Sequence, residues 1–490
     1  MRLDALVADL PVRCDGPVAG VDITSLTADS RQVSAGALFA AFPGTAVDGR
    51  RFIASALANG AAAILTTHDT ELATFGVAEG SIPILRTDDV RRVLALMAAC
   101  FYGRQPTVTV AVTGTSGKTS VADFSRQLFG LLGRSAASIG TIGVVKPDGG
   151  VYGALTTPDP VTLARLLAEL ADDGVSHLAF EASSHGLDQR RLDGVRIKAA
   201  AYTNLGRDHL DYHPTVDDYL AAKLRLFDTL LPDDGVAVVN LDDPHGAAVE
   251  RVARQRKLRM IGVGVGDVAD LRIVSVDRDG YAQNVVMRYG GRDFAVRLEL
   301  IGDYQAGNAA LAAGLALATG EQPDAVFEAL GKLKGVNGRL EVVGVVNGAP
   351  VIVDYAHKPD ALAAALGALR PFATGRLISV FGCGGDRDRG KRPIMGAISG
   401  GTADVTIVTD DNPRSEDPAE IRRAIMAEAR GAIEIGDRRA AIAHALEMAV
   451  SGDVVLIAGK GHETGQIVGD QVFPFSDHAV IRELLAQHKD

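Results

Sequence analysis

Residues 113–119 read Thr-Gly-Thr-Ser-Gly-Lys-Thr, and their types and spacing suit one task, the holding of phosphate. Gly114 and Gly117 let backbone N–H groups turn inward onto an anion, and the N-terminus of a following helix adds partial positive charge. Lys118 can reach terminal phosphates, and the Thr119 hydroxyl suits Mg²⁺. Longer phosphate loops carry a glycine where this chain has Val112, so the loop is a shortened variant. Such a loop works only between a strand that ends beneath it and a helix that starts from it. A β-rich segment over 107–112 and a predicted helix over 120–132 supply both.

Further polar groups fall at the carboxyl ends of predicted strands, where ligands gather in open α/β sheets. Glu181 follows a strand over 177–180, Asn204 one over 199–203, and Asp354 one over 351–353. The segments 382–392, 410–414 and 459–463 each follow another. Together these ends predict a cleft between two domains. Within it, Thr119 and Glu181 offer the oxygen ligands that Mg²⁺ prefers and shares with phosphate. The polar run from Asn204 to Asp211 adds His209, and Lys223 stands on a predicted helix over 216–229, one turn from Tyr219 and one from Phe227. By residue type alone Lys223 reads as a solvated lysine.

Stepping outward, strands are expected over 107–113, 177–181, 198–204 and 236–240, as apolar runs without alternation, the pattern of a sheet covered on both faces. Residues 271–300 alternate and contain Asp279-Gly280 and Gly290-Gly291, which predicts antiparallel hairpins appended to that sheet. After Gly335, strands over 351–354, 377–381, 405–409, 433–435 and 454–457, with helices between, predict a second doubly wound unit. The expected fold class is α/β in three domains: residues 1–103 with short mixed strands and helices, 104–335 with the phosphate loop and a parallel sheet, and 336–490, Rossmann-like.

The 490 residues exceed one core. The formal net charge of −11 argues against a nucleic-acid partner and requires local cations for any anionic substrate. Arg190 with Arg191, and Arg387, Arg389, Lys391 and Arg392, are such clusters. The cysteines Cys14, Cys100 and Cys383 are too few and too far apart for a disulfide framework or zinc cluster, which predicts a reducing compartment. Residues 1–10 do not resemble a signal peptide, and no apolar run reaches the roughly 18 residues that span a bilayer. A cytoplasmic protein without membrane insertion is expected.

Taken in order, these segments resemble the Mur ligases, the ATP-dependent amide-forming family of peptidoglycan precursor synthesis. The resemblance rests on Gly114-Thr115-Ser116-Gly117-Lys118-Thr119, Glu181-Ala-Ser-Ser-His-Gly, and Asn204 with Asp208-His209-Leu210-Asp211. Gly338-Arg339-Leu340-Glu341, Asp354-Tyr355-Ala356-His357 and Gly384-Gly385-Asp386-Arg387 continue it, so it covers essentially the whole chain. It implies ATP and Mg²⁺ as cofactors, with Lys118, Glu181, His209 and Lys223 catalytic. It also implies that Lys223, in its Tyr-x-x-x-Lys-x-x-x-Phe setting, is carbamylated and joins Thr119, Glu181 and His209 at the metal. Asn308, Arg339 and Asp354 are expected to contact adenosine or close the domains, although family members more often carry Phe-Asn where this chain has Tyr304-Gln305.

The N-terminal region, with Asp29-Ser30-Arg31 and Gly44-Thr45, resembles the family's uridine-nucleotide domain. Ser30 and Thr45 are then expected on a UDP-sugar, and Thr156, Thr157, Ser183, Gln189 and Arg191 on the MurNAc-peptide and its terminal D-Glu, with UDP-MurNAc-L-Ala-D-Glu as donor. Asp-Ser-Arg also reads plainly as a helix cap or turn. Asp411-Asn412-Pro413-Arg414 is a polar turn by residue type; in the family it marks the members that add meso-diaminopimelate. That amino acid differs from lysine by one carboxylate, which an arginine fork can discriminate. Arg387, Gly459 and Glu463 complete the expected pocket. A monomer is implied. A lysine-adding ligase, a folylpolyglutamate synthase and a non-catalytic nucleotide-binding regulator are the rival readings; Arg414, the uridine-type domain and the retained Lys118–Glu181–His209–Lys223 set count against them in turn.

Overall fold

Strand Val108–Thr113 enters the phosphate loop from inside an eleven-stranded sheet. In this computed structural model, which describes residues 1–44, 47–75, 80, 82–151, 157–206, 208 and 212–487, its neighbours are His177–Glu181 on one side and Ala199–Tyr202 on the other, both parallel. The register matters for the site. Glu181 pairs with Val112 and Tyr202 with Thr113, so Glu181, the loop and Thr203-Asn204 emerge together at one sheet edge.

Successive residues of these strands face opposite covers. Val110, Val112, Ala199, Ala201, Val236 and Val238 pack with helices Lys118–Leu131 and Tyr304–Ala318. Ala111, Leu178, Phe180, Ala200, Tyr202 and Val239 pack on the other side with Leu163, Leu167, Tyr219 and Phe227. Two-sided burial is why the strands lack alternation in sequence. Each fully buried aliphatic side chain contributes about 1.5–3 kcal/mol, so the central sheet is a rigid base. Helix Tyr304–Ala318 is buried almost all round, and its small residues permit this: a Cβ on Gly314 would stand 2.7 Å from Val238 Cγ1.

Strands Leu271–Asp279, Ala282–Tyr289 and Arg292–Leu298 form the expected antiparallel extension. Two further strands in this sheet, Ala136–Gly140 and Arg259–Gly264, lack strong β signals in sequence; the first is built mainly of small residues. The predicted strand over 198–204 stops at Tyr202 because Thr203 and Asn204 give their polar groups to the phosphate loop. The helix expected over 120–132 is Lys118–Leu131, starting earlier because Gly117, at φ 84°, turns the loop directly into it. The helix expected over 216–229 is Val216–Arg225, followed by a π turn, Leu226–Leu230.

The C-terminal sheet has the order Glu341–Val346, Ala349–Asp354, Val454–Ala458, Leu377–Phe381, Val405–Val408, Ile433–Glu434, with only the first strand antiparallel. A five-stranded sheet lies near the N-terminus, covered by helix Val90–Tyr102. No helix among the described residues is long and apolar enough to cross a membrane.

Candidate active site

The phosphate loop is held from the neighbouring strand end. Thr115 N–H donates to the Asn204 carbonyl (2.9 Å), Ser116 N–H to Asn204 Oδ1 (2.9 Å), and Thr203 Oγ1 to the Ser116 carbonyl (2.6 Å). A Cβ on Gly114 would fall 1.8 Å from Thr203 Oγ1, and one on Gly117 2.6 Å from Asn308 Oδ1, so both glycines are required by close approach as well as by φ. Thr203 and Gly206, with Asn204, are contributors that a motif search around the loop alone does not find.

A cavity of about 440 Å³ opens above the loop, lined by Lys118, Thr119, Glu181, Lys223, Asn308, Arg339 and Asp354 among others. Lys118 Nζ folds back on the Gly114 and Thr115 carbonyls, at 2.9 Å each. Burial, and then the charge of Lys358, push it down to about 8. Lys223, expected as a solvated lysine by type, is 1% exposed. Its Nζ donates to the Gly114 carbonyl at 2.8 Å and sits 4.1 Å from the centre of the Tyr219 ring. Burial first, then Lys118 and Lys358, drive it well below the ordinary lysine range. A neutral buried amine is the form that can take up CO₂.

Glu181 and Thr119 fit Mg²⁺ by donor chemistry: a buried carboxylate and a hydroxyl, hard oxygens beside a phosphate loop. Thr141 holds Glu181 through its N–H to Oε1 (2.7 Å) and its hydroxyl to Oε2 (3.2 Å). Among the described residues no three acidic, histidine or cysteine side chains converge as a ready metal site; a carbamate on Lys223 would add the missing carboxylate. His209 lies outside the described residues, as do Thr45 and Thr156.

Across the cavity, Arg339 NH2 donates to Thr119 Oγ1 (2.9 Å) and its guanidinium covers the Tyr355 ring at 4.6 Å. The C-terminal domain thus touches the loop directly. Asp354 accepts the Leu340 and Ala356 N–H groups at 2.7 and 2.8 Å, and burial raises it above the ordinary carboxylate range. Asn308 donates to Gln305 at 2.8 Å. Lys358, unnoticed in sequence, pairs with Asp208.

A second cluster gathers Thr157, Ser183, Gln189 and Arg191. Thr157 Oγ1 lies 2.9 Å from Ser183 Oγ; Arg191 donates to the Thr157 carbonyl (2.6 Å) and to Gln189 Oε1 (2.7 Å). Its half-buried guanidinium makes no hydrogen bond to a carboxylate among the described residues, which leaves it suited to an anionic ligand. Ser30 opens the turn Ser30–Gln32, which Asp29 caps, so the plain capping reading of Asp29 holds as well. No hydrogen bond among the described residues joins Ser30 to the cluster; the N-terminal region reaches it through Asp89, which accepts from Arg190 at 3.0 Å.

A third cluster follows strand Val405–Val408. Asn412 Nδ2 donates to Glu463 Oε2 (2.9 Å), while Lys460 donates to Glu463 Oε2 (3.0 Å) and Asn412 Oδ1 (3.2 Å). Arg414, at φ 53°, spends its guanidinium on two carbonyls, Gly385 (2.9 Å) and Asn412 (3.4 Å); burial and Arg387 disfavour its charge. Arg387 is exposed in the adjoining loop. Asp411 lies beneath Gly459, where a Cβ would stand 2.7 Å from its Oδ2, and Pro413 packs its carbonyl on Gly385. Gly459 acts by its lack of a side chain. Lys460 and the Gly465–Val468 strand, whose Ile467 N–H donates to Asn412, were not foreseen; the buried lysine stood inside an otherwise recognised segment.

A phosphate loop at the carboxyl ends of parallel strands, a second domain clasping it, and two flanking cation-bearing clusters suit an enzyme that works with a nucleotide. The family model described as "Mur ligase family, catalytic domain" matches residues 22–102, "Mur ligase middle domain" 112–316, and "Mur ligase, glutamate ligase domain" 338–461. The chain belongs to the Mur ligase family. It is 55% identical to the UDP-N-acetylmuramoyl-L-alanyl-D-glutamate–2,6-diaminopimelate ligase of Brucella melitensis biotype 1, over 96% of each chain. It is 54% identical to the protein of that name from Bradyrhizobium diazoefficiens, again over 96% of each. A solved structure of a UDP-N-acetylmuramoyl-L-alanyl-D-glutamate–2,6-diaminopimelate ligase superposes with a TM-score of 0.69 at 34% identity, covering 96% of both chains.

Proposed function

We propose that this chain is an ATP-dependent ligase that joins meso-diaminopimelate to UDP-MurNAc-L-Ala-D-Glu in peptidoglycan precursor synthesis, releasing ADP and phosphate. The observation that carries the reading is continuity between two sites. Tyr355, which lines the phosphate cavity, reaches Glu463 of the Asn412–Lys460–Glu463 network at 3.5 Å. An amine held at that network would face an acyl group activated over the phosphate loop.

In this reading residues 1–103 hold the uridine nucleotide through Ser30 and Thr45, residues 104–335 hold ATP, and residues 336–490 hold the incoming amino acid. Thr156, Thr157, Ser183, Gln189 and Arg191 bind the MurNAc-dipeptide, and Asn308, Arg339 and Asp354 the adenosine side. Glu463 takes an ammonium, and Arg387, Asp411, Asn412, Pro413, Arg414 and Gly459 form the pocket around a carboxylate.

The chemistry follows from the leaving group. A carboxylate cannot expel oxide, so its oxygen first attacks the γ-phosphorus of ATP and ADP departs. The amine then adds to the acyl carbon, the tetrahedral adduct expels phosphate, and the amine proton is lost. Lys118 offsets charge on the transferring phosphoryl group. Thr119, Glu181, His209 and carbamylated Lys223 would hold Mg²⁺, which offsets further charge on the phosphates when bound. Alignment of three reactants accounts for much of the rate. The substrates and the three free cysteines support a cytoplasmic setting, and the chain is proposed to act as a monomer.

The test is phosphate release from ATP and Mg²⁺ with UDP-MurNAc-L-Ala-D-Glu, comparing meso-diaminopimelate with L-lysine. Release with meso-diaminopimelate alone is expected. Release with lysine instead would overturn the acceptor assignment, and release with neither would return weight to a non-catalytic regulator.

A further inference from the structure

The loop after strand Val454–Ala458 presents two adjacent side chains to two different domains. Glu463 turns to Asn412 and Lys460 within its own domain. His462 turns the other way. Its Nε2 lies 2.9 Å from the carbonyl oxygen of Thr141, in the turn joining strands Ala136–Gly140 and Gly143–Lys146 of the central sheet. A carbonyl can only accept, so Nε2 carries the proton. Thr141 is also the residue whose N–H and hydroxyl hold the two oxygens of Glu181. The fit is tight: a Cβ on Gly140 would stand 2.2 Å from Glu181 Oε1. Glu181 is thus clamped by a hairpin turn, and that turn hangs from His462.

The position of His462 is itself built. Gly461 adopts φ 51°, and a Cβ there would meet Tyr355 Cβ at 2.7 Å. Gly338 adopts φ 66°, and a Cβ there would meet His462 N at 2.5 Å. The Tyr355 ring packs 5.1 Å from the imidazole. Arg438, fully buried on Asp477, donates to the Ala458 carbonyl at 2.9 Å and fixes where the loop begins.

We propose that His462 is a positioning residue: by holding the Thr141 carbonyl it orients Glu181, and it makes that orientation depend on the docking of the loop that carries Glu463. This rests on the roles of Glu181 and Glu463 proposed above.

The test compares His462→Phe, which keeps a ring against Tyr355 but loses the donor, with His462→Gln, whose amide N–H can still reach Thr141. Calorimetry reads Mg²⁺-dependent binding of a non-hydrolysable ATP analogue, steady-state phosphate release reads kcat and each KM, and thermal unfolding checks the fold. In the Phe variant Mg²⁺ affinity and kcat fall roughly 10- to 100-fold, the scale for losing a group that orients a metal ligand, while KM for meso-diaminopimelate changes little. The Gln variant recovers most of both. Native binding and kcat in the Phe variant overturn the proposal, and so does a Gln variant that unfolds at the wild-type temperature yet is equally impaired. If the unaltered enzyme releases no phosphate with meso-diaminopimelate, the ligase reading fails, whereas the metal–nucleotide comparison still decides the role of His462.

Discussion

Lys118 and Lys223 share one acceptor: both donate to the carbonyl of Gly114, at 2.9 and 2.8 Å. Burial first, and then repulsion from Lys118 and Lys358, drives Lys223, the more enclosed of the two, well below the ordinary lysine range. Its free amine can bond to the carbon of CO₂ with loss of a proton, which converts a neutral amine into an anionic carbamate. Lys223→Ala is expected to lose nearly all phosphate release. In the unaltered protein, ¹³C-bicarbonate should yield a carbamate resonance that the Ala variant lacks. Full activity in the Ala variant, unresponsive to bicarbonate, would remove Lys223 from the mechanism.

Lys118 is expected to behave differently, because the proposed role sets phosphate against it. Without nucleotide its pKa is about 8, lowered from the ordinary value by burial and Lys358. Phosphate anions favour the charged form, so the bound value is higher. Near pH 8 the free protein is partly deprotonated there, and ATP binding takes up protons; well below that pH the residue is already charged and uptake vanishes. Calorimetry in buffers of different ionisation enthalpy reads this directly. Binding without buffer dependence near pH 8 would contradict it.

Arg414 is the residue proposed above to discriminate meso-diaminopimelate from lysine. Among the described residues its guanidinium donates only to carbonyls, at 2.9 and 3.4 Å, so a ligand carboxylate would be its charged partner. Arg414→Ala is expected to cost about 2–5 kcal/mol of binding, the scale of breaking a buried charge pair, seen as a raised KM for meso-diaminopimelate. Unchanged KM and kcat would refute the role.

The side chains of Arg438 and Asp477 are both 0% exposed and joined by two hydrogen bonds, at 2.8 and 2.7 Å. Asp477→Ala leaves the guanidinium buried without its counter-charge and is expected to destabilise the protein by about 3–5 kcal/mol in denaturant unfolding. Replacing both residues with apolar side chains of similar size should cost far less. Equal losses in the single and double variants would show that packing, not charge, holds this corner.

Much of this protein was already written in the order of its residues. The phosphate loop needs two glycines, a lysine and a threonine at fixed local spacing, and the apolar runs of a two-sided sheet declare themselves without reference to neighbours. Hence the central and C-terminal sheets, the loop, and the strand-end clusters at Glu181, Asn412 and Arg414 were legible. Tertiary structure alone decided what depends on distant segments meeting. Lys223 reads as a surface lysine until the Gly114 carbonyl, 109 residues away, closes over it. Thr141 follows a strand of small residues with little β signal, and His462 is an ordinary loop histidine, until the two domains bring them within 2.9 Å. Local spacing fixes which groups can do chemistry; burial and contact between domains, which no short stretch encodes, fix which of them are charged and where they point.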